Sequence, residues 1–398
     1  MFKSLDGKFY IFLLLFFMNL AFLAYAILNL SISYYEAKLF YYDHNLISLL
    51  MKISCKFLTQ SDFGVKFPFL FLHFINSILM YKISKFILKR REDRLVCVFI
   101  YMFLPGVMSS AIVANMAGIT IFFTLLFIYL FETKKYYLSI FILFITVFID
   151  KTFTILFIGV FFYSIYNSKR ELAFISFILL VMSFLFYGFE TSGKPKSYFL
   201  DTLGVYAAVF SPFIFLFFVY VMYRIWVKDS KNLIWFISIS SFCISLLLSL
   251  RQKILLDEFL PFCVISIPLL VKTFYSSYRI RLPKFRIKYK ILAIFLISSL
   301  LINSILISFN SKLYKFFKNN PQNHFAYKFD IAKDLADKLK SLNINSLIVL
   351  DDELALRLKF YGIEGGGNYI LSEDKIYKPK FKITINKGEI QIANFYIL

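Results

Sequence analysis

The sequence predicts an all-α polytopic membrane protein of about eleven transmembrane helices, closed by a small C-terminal α/β extracytoplasmic domain. Three observations predict this. Hydrophobic residues make up 60% of the 398 residues and charged residues only 17%, against roughly 25% charged in ordinary globular chains. The apolar residues come in repeated runs, several of them reaching the roughly 18 residues that a span requires. After residue 310 these runs give way to short amphipathic segments. The domain boundary is therefore set between residues 1–309 and 310–398.

The net charge is +21. Lys and Arg sit in short clusters between apolar runs, as cytoplasmic loops do when they fix orientation. Their partners are anionic headgroups of membrane lipids, and nucleic acid is excluded as the reason for the charge.

The first span covers residues 9–31. Lys3 and Lys8 precede it and no small-residue cleavage site follows, so it reads as an uncleaved signal anchor. A polar and aromatic segment, residues 34–45, comes next as the first external loop. Residues 46–58 place apolar side chains at helical spacing around Lys52 and Lys56, the pattern of an interfacial amphipathic helix. The second span covers 65–88 and ends in the basic cluster 89–94. The third, 95–104, ends at the turn dipeptide Pro105-Gly106. The fourth to seventh cover 112–131, 136–149, 152–166 and 172–189. An outer loop over 190–201, with Lys194-Pro195-Lys196, leads to the eighth at 202–223. The ninth is 233–250 and the tenth 255–271. A strongly basic loop from Arg279 to Lys290 precedes the eleventh, 291–309. The distribution of Lys and Arg favours a cytoplasmic N-terminus and an external tail. In the tail, 330–342 reads as an amphipathic helix and 346–350 as a buried strand. Asp351-Asp352 can cap a helix to about 360. Gly365-Gly366-Gly367 reads as a loop, and 380–386 with 389–396 as a hairpin around Lys387-Gly388.

The four cysteines, Cys55, Cys97, Cys243 and Cys263, have no CxxC spacing, which argues against a disulfide framework or a thiolate metal site. Chemistry is expected first in the external loop. Glu36 and Asp43 are two carboxylates among Tyr34, Tyr35, Tyr41 and Tyr42. A carboxylate at a membrane face can remove a proton from an acceptor hydroxyl or amine, and the rings can wall a sugar. The competing account is an interfacial tyrosine belt with solvated carboxylates. Lys151, Arg251 and Lys253 lie at outer span ends, against the usual charge bias. They suit a lipid-linked phosphate, or else snorkel or pair locally, Lys151 with Asp150 and Lys253 with Asp257. A divalent cation has one candidate set, His44 with Asp43 and Glu36, and no metal-motif spacing supports it. No phosphate-binding glycine loop is present, since Gly365-Gly366-Gly367 lacks the following Lys-Ser/Thr.

Taken in order, these segments resemble one family. Tyr41-Tyr42-Asp43-His44-Asn45, then Ser61-Asp62-Phe63-Gly64-Val65-Lys66-Phe67-Pro68, then Asp150-Lys151-Thr152, and Leu248-Ser249-Leu250-Arg251-Gln252-Lys253 are similar to the loop motifs of bacterial membrane glycosyltransferases with the GT-C fold. The resemblance is to the protein O-mannosyltransferase and aminoarabinose-transferase-like group and covers nearly the whole chain. It implies a polyprenyl-phosphate-linked sugar as donor and a lipid, glycan or protein acceptor. Transfer would occur with inversion at the outer face of the bacterial inner membrane. It also implies catalysis by Glu36 with Asp43, donor-phosphate binding by Lys151, Arg251 and Lys253, and a substrate pocket with Tyr35, Tyr42 and His44. Tyr35 stands where that family has the first residue of an acidic pair. Met116-Ala117-Gly118 lacks the carboxylate of its second loop, and Leu256-Asp257-Glu258 replaces a Pro-His-Trp. These departures leave two further readings, a catalytically silent scaffold in envelope glycan assembly and a transporter or flippase. Mid-span charges and internal repeats, expected of a transporter, are lacking.

Overall fold

The computed structural model describes residues 7–188, 198–309, 313–315, 320–324, 327–373, 379–387 and 390–398. The chain is mostly helical. The helices are α1 (Gly7–Asn29), α2 (Tyr34–Tyr41), α3 (Leu46–Leu58), α4 (Asp62–Ile87), α5 (Arg91–Phe103), α6 (Pro105–Ile112), α7 (Ala117–Glu132), α8 (Tyr136–Val147), α9 (Thr154–Tyr166), α10 (Arg170–Tyr187), α11 (Phe199–Phe210), α12 (Pro212–Lys228), α13 (Leu233–Ser249), α14 (Leu260–Val264), α15 (Ile267–Ile280), α16 (Pro283–Ser308), α17 (Tyr327–Asp330), α18 (Ala332–Ser341) and α19 (Asp352–Phe360). The strands are β1 (Ser346–Val349), β2 (Glu364–Ser372), β3 (Phe381–Lys387) and β4 (Ile390–Ile397). The expected outer-loop residues Lys194-Pro195-Lys196, and the hairpin turn at Gly388, lie outside the described residues.

Among the described residues, five stretches are long and apolar enough to cross a membrane: Phe9–Asn29, Asp62–Ile87, Arg170–Tyr187, Leu260–Ile280 and Pro283–Ser308. Two bent pairs raise the number to seven if each is one span. Length and composition therefore support five to seven spans and not the eleven read from hydropathy. Four more apolar helices have only 10–17 residues.

The differences have local causes. Pro105-Gly106 is not a turn. Pro105 opens α6, where its fixed φ and missing N–H fit the first helical position, and α5 and α6 bend by 58°. Gly106 is needed for close approach, because a Cβ there would lie 2.2 Å from Val209 Cγ1. The eighth expected span is broken at Ser211, which adopts φ +69° ahead of Pro212, so α11 and α12 bend by 106°. The basic loop of 279–290 is largely helix. Only 281–282 separate α15 from α16, and Pro283 opens the latter. The polar segment after the first span is also helical, as α2.

By residue contacts the chain divides into two compact units. The first comprises Met1–Leu20, Phe71–Ala111 and Asn115–Ser304, and the second Ala21–Leu70, Ile112–Ala114 and Ile305–Leu398. The second unit gathers the tail together with the first polar segment.

The first unit has one continuous apolar core, with Phe127, Phe157, Phe210 and Phe218 fully buried. Large apolar side chains also face outward, among them Leu14, Phe141, Leu185 and Ile294. Such a surface suits hydrocarbon and not water. Gly159 lets α9 and α13 touch at backbone distance, since its Cβ would lie 2.7 Å from Ile237 Cα. Serines on α13 serve as hydrogen-bond donors inside this core. Ser238 Oγ donates to Phe262 O at 2.8 Å and Ser241 Oγ to Phe259 O at 2.7 Å. These two bonds pin α14, and with it the segment just upstream, to α13.

In the second unit a four-stranded sheet has the order β1-β2-β4-β3. β1 pairs with β2 in parallel, and β4 is antiparallel to both β2 and β3. The three glycines expected as a loop belong to β2. The pairing slips between Leu347 and Ile348, and Gly366 and Gly367 take φ +106° and +103° there. Only glycine takes such backbone without strain in an extended stretch. α18 and α19 cover the sheet through Leu335, Leu339, Leu354 and Leu358.

Asp330 is buried at this core, and its Oδ2 accepts from the Tyr314 hydroxyl at 2.8 Å. Lys387 lies 4.0 Å from Asp330 and 2.9 Å from Asp334. Burial raises the Asp330 pKa to about 6, with Lys387 and Tyr314 pulling it down and Asp334 pushing it up. An acid whose pKa is raised on folding binds more protons folded than unfolded between the two pKa values, so stability falls as pH rises through that window. The second unit is expected to lose stability from about pH 4 to about pH 6. Asp330→Asn should flatten that slope. Amide-exchange protection of β3 and β4 measured across pH 4–7 checks this, and an unchanged slope in the variant would refute it.

Candidate active site

In the first unit the end of α8 and the approach to α14 form a polar cluster. Asp150 caps the single 3-10 turn Lys151–Phe153, its Oδ1 accepting from Thr152 N–H at 2.9 Å and from the Thr152 hydroxyl. That cap is dictated locally, because Asp before a short helical turn satisfies an orphan N–H. Lys151 Nζ then reaches Glu258 Oε1 at 3.2 Å. Glu258 ends a second 3-10 turn, Leu256–Glu258, which the Ser241 and Ser238 bonds hold in place from the α14 side. The bridge is half-exposed on the lysine side and adds little stability, about 1 kcal/mol or less. Its effect is to fix two turns from distant parts of the sequence against each other.

Beside this bridge lies a cavity of about 350 Å³, walled by α6, α7, α11 and α14. Apolar groups form most of its lining, with Ser109, Ser110, Asn115 and Asp257 among the polar ones. The two serine hydroxyls donate to carbonyls of their own helix, Pro105 O and Val107 O. Ala117, the position without a carboxylate, lines the same cavity. Asp257 is exposed, but the wall beside it still removes enough water to push its pKa up. Asp150 adds to the rise, while its own turn's N–H groups and Lys151 oppose it. Glu258 is raised by burial as well, against the pull of Lys151.

Arg251 and Lys253 are exposed on the segment that runs from α13 to Asp257. Of the expected phosphate-binding residues, Lys151 is thus tied to the Asp257–Glu258 turn by contact. Arg251 and Lys253 are tied to it by chain continuity within eight residues. The arrangement offers a mostly apolar cavity with one carboxylate, Asp257, whose neighbour Glu258 holds the Lys151 ammonium.

The expected catalytic residues Glu36 and Asp43 belong to the second unit. Glu36 is fully buried. Its Oε2 accepts from Ser33 N–H at 2.8 Å and Ser33 Oγ at 2.9 Å, and its own N–H donates to Ser33 Oγ at 3.2 Å. Its Oε1 accepts from Ala114 N–H at 2.8 Å. This is a capping box closing the start of α2. These three donors tie the carboxylate to Ser33 and Ala114. The structure gives Glu36 a structural role. Asp43 is half-buried and uses its backbone carbonyl, which accepts from Ser48 Oγ and Lys52 Nζ. Tyr35, Tyr42 and His44, expected in a substrate pocket, are exposed. Among the described residues no group of three or more His, Cys, Asp and Glu side chains is placed to hold a metal ion, so Glu36, Asp43 and His44 do not form a cation site.

The second unit also contains a polar clasp that sequence reasoning missed. Arg357, buried on α19, donates to Ile32 O at 2.8 Å and Ser31 Oγ at 3.1 Å. Tyr361 donates to Asp62 Oδ1 at 2.5 Å and accepts from Ile32 N–H at 3.0 Å. Lys333 lies 3.3 Å from Asp62 Oδ2. Lys66, with no exposed surface, donates to Leu30 O at 2.8 Å, filling an orphan acceptor just past α1. Burial and the Asp62 charge hold the Tyr361 hydroxyl protonated as a donor. Burial draws the Arg357 pKa down, with Tyr361 and Glu36 opposing. The only sequence signal was a Lys inside an apolar run at position 66.

No family model, curated protein or solved structure matches this chain.

Proposed function

We propose that the chain is an integral-membrane glycosyltransferase that moves a sugar from a polyprenyl-phosphate donor to a lipid, glycan or protein acceptor. In this reading it works at the outer face of a bacterial inner membrane, with its N-terminus inside and its tail outside. The observation that carries the reading is the Lys151–Glu258 bridge beside a cavity of mixed apolar and polar lining. Glycosyl transfer leaves a phosphate whose charge grows as the sugar bond breaks, and a preplaced ammonium meets it there. Lys151 supplies that group, while Arg251 and Lys253 hold the lipid phosphate at the cavity edge. The GT-C resemblance agrees with the order of these segments.

The test is transfer by the purified full chain in proteoliposomes carrying a radiolabelled polyprenyl-phosphate sugar and envelope lipid as acceptor. Wild-type protein is expected to deplete donor and form labelled product. Lys151→Ala should raise the donor KM by roughly tenfold or more, the effect of losing about 1.4 kcal/mol of charged contact. An unchanged donor dependence would remove Lys151 from the reading. The silent-scaffold reading draws support from the capped Glu36 and from Ala117. It gains if wild-type protein transfers from no polyprenyl-phosphate hexose or pentose.

A further inference from the structure

We propose that Asp257 is the proton acceptor of the transfer reaction and that the cavity it lines receives the acceptor's nucleophile. This rests on the glycosyltransferase reading and names the group and pocket that would perform its chemical step.

Four observations support it. First, Asp257 is the one titratable side chain among the described residues lining the cavity. The remaining polar lining, Ser109, Ser110 and Asn115, cannot hold a proton at neutral pH. Second, Ala117 leaves the facing wall without a carboxylate, so proton transfer inside the cavity falls to Asp257. Third, Asp257 adjoins Glu258, which holds Lys151 at 3.2 Å, so an ammonium is fixed to the residue next to the cavity's carboxylate. Fourth, Glu36 is fully buried, its carboxylate accepting from Ser33 N–H, Ser33 Oγ and Ala114 N–H, and offers no exposed surface to an acceptor. The titratable groups that bear on Asp257 are Asp150, Lys151 and Glu258. Their balance, with desolvation, moves the carboxyl toward neutral pH, where a base is more effective.

The acceptor's hydroxyl or amine gives its proton to the Asp257 carboxylate while its lone pair forms a bond to the anomeric carbon. The carbon–oxygen bond to the phosphate breaks, and its electron pair leaves on the polyprenyl phosphate, beside Lys151. Asp257 returns its proton to water.

The experiment uses full-length wild-type, Asp257→Asn and Asp257→Glu proteins in the proteoliposome assay with polyprenyl-phosphate sugar. Asp257→Asn is expected to lower kcat by roughly 100-fold or more, the scale of a lost general base, with the donor KM within about threefold. Asp257→Glu should keep measurable transfer with a displaced acidic limb in its pH profile. Transfer by Asp257→Asn within threefold of wild type overturns the assignment and leaves the glycosyltransferase reading standing. If the wild-type chain transfers nothing, that reading fails instead. Asp257 is then judged by labelling with dicyclohexylcarbodiimide, an apolar reagent for protonated carboxyls. Labelling at Asp257 faster than at Asp43, mapped by peptide mass, is expected, and its absence overturns the inference.

Discussion

Glu36→Ala is expected to destabilise the second unit by about 3 kcal/mol, because hydrogen bonds to a charged group contribute roughly 1.5–3 kcal/mol each and three are lost. The full sum is not reached, since deleting the carboxylate also removes the cost of burying it. The substitution leaves Ser33 N–H and Ala114 N–H without their acceptor where the Glu36 side chain has no exposed surface. Glu36→Gln keeps the shape and one acceptor, and should lose about half as much. Amide exchange at Ser33 and Ala114 reads this directly, whereas both tryptophans, Trp226 and Trp235, report on the other unit. The same variant separates structure from catalysis. Glu36→Gln should transfer sugar within about tenfold of wild type, where loss of a true general base costs roughly 10²–10⁴-fold. Abolished transfer with native exchange protection would return the base to Glu36.

Arg357→Met is expected to have an effect of similar size, about 3 kcal/mol, through the loss of two charged hydrogen bonds from a buried guanidinium. Ile32 O and Ser31 Oγ lose a donor, and methionine replaces only the apolar stem of the side chain. Ser31 is held from two directions, since its N–H and its hydroxyl also donate to Phe329 O. Arg357 and the Tyr361–Asp62 pair converge on residues 31–32. Arg357→Met combined with Asp62→Asn should therefore be non-additive, with a coupling of about 0.5–3 kcal/mol. Limited proteolysis of α18 and α19, compared across the two single variants and the double variant, measures it. Strict additivity would mean that the clasp is two separate contacts.

How far the site was legible follows from these residues. Lys151 could be singled out because a lysine at an outer span end runs against the charge bias of membrane proteins. Its partner could not be chosen. Asp150 is adjacent in sequence, but it turns to cap Thr152, and Lys151 reaches Glu258, 107 positions away. Asp257 stood in the sequence only as a local partner for Lys253, because nothing in its neighbours shows that α6, α7, α11 and α14 would wall a cavity beside it. Glu36 carried a second signal in its own neighbours. The local signal was present, Ser33-x-x-Glu36, a capping box that predicts helix α2 and uses the carboxylate. The chemical reading of an acidic aromatic loop obscured it.

The sequence by itself determined the apolar, helical and membrane-suited character of most of the chain, the amphipathic helix α3, and the change to an α/β tail. These properties depend on composition, periodicity and caps within a few residues, which act before any tertiary contact forms. The tertiary structure decided where apolar runs break into bent pairs, since Pro105 and Ser211 kink or continue a helix according to what packs beside them. It also decided that three glycines belong to a bulged strand and not a loop, since β1 pairs with Gly365 and again at Ile370, with the slip in between. The fate of each charge was settled there too. Apart from the Ser33 cap on Glu36, the buried charges are stabilised by partners from distant segments, as Asp62 is by Tyr361 and Lys333, and no sequence window contains both.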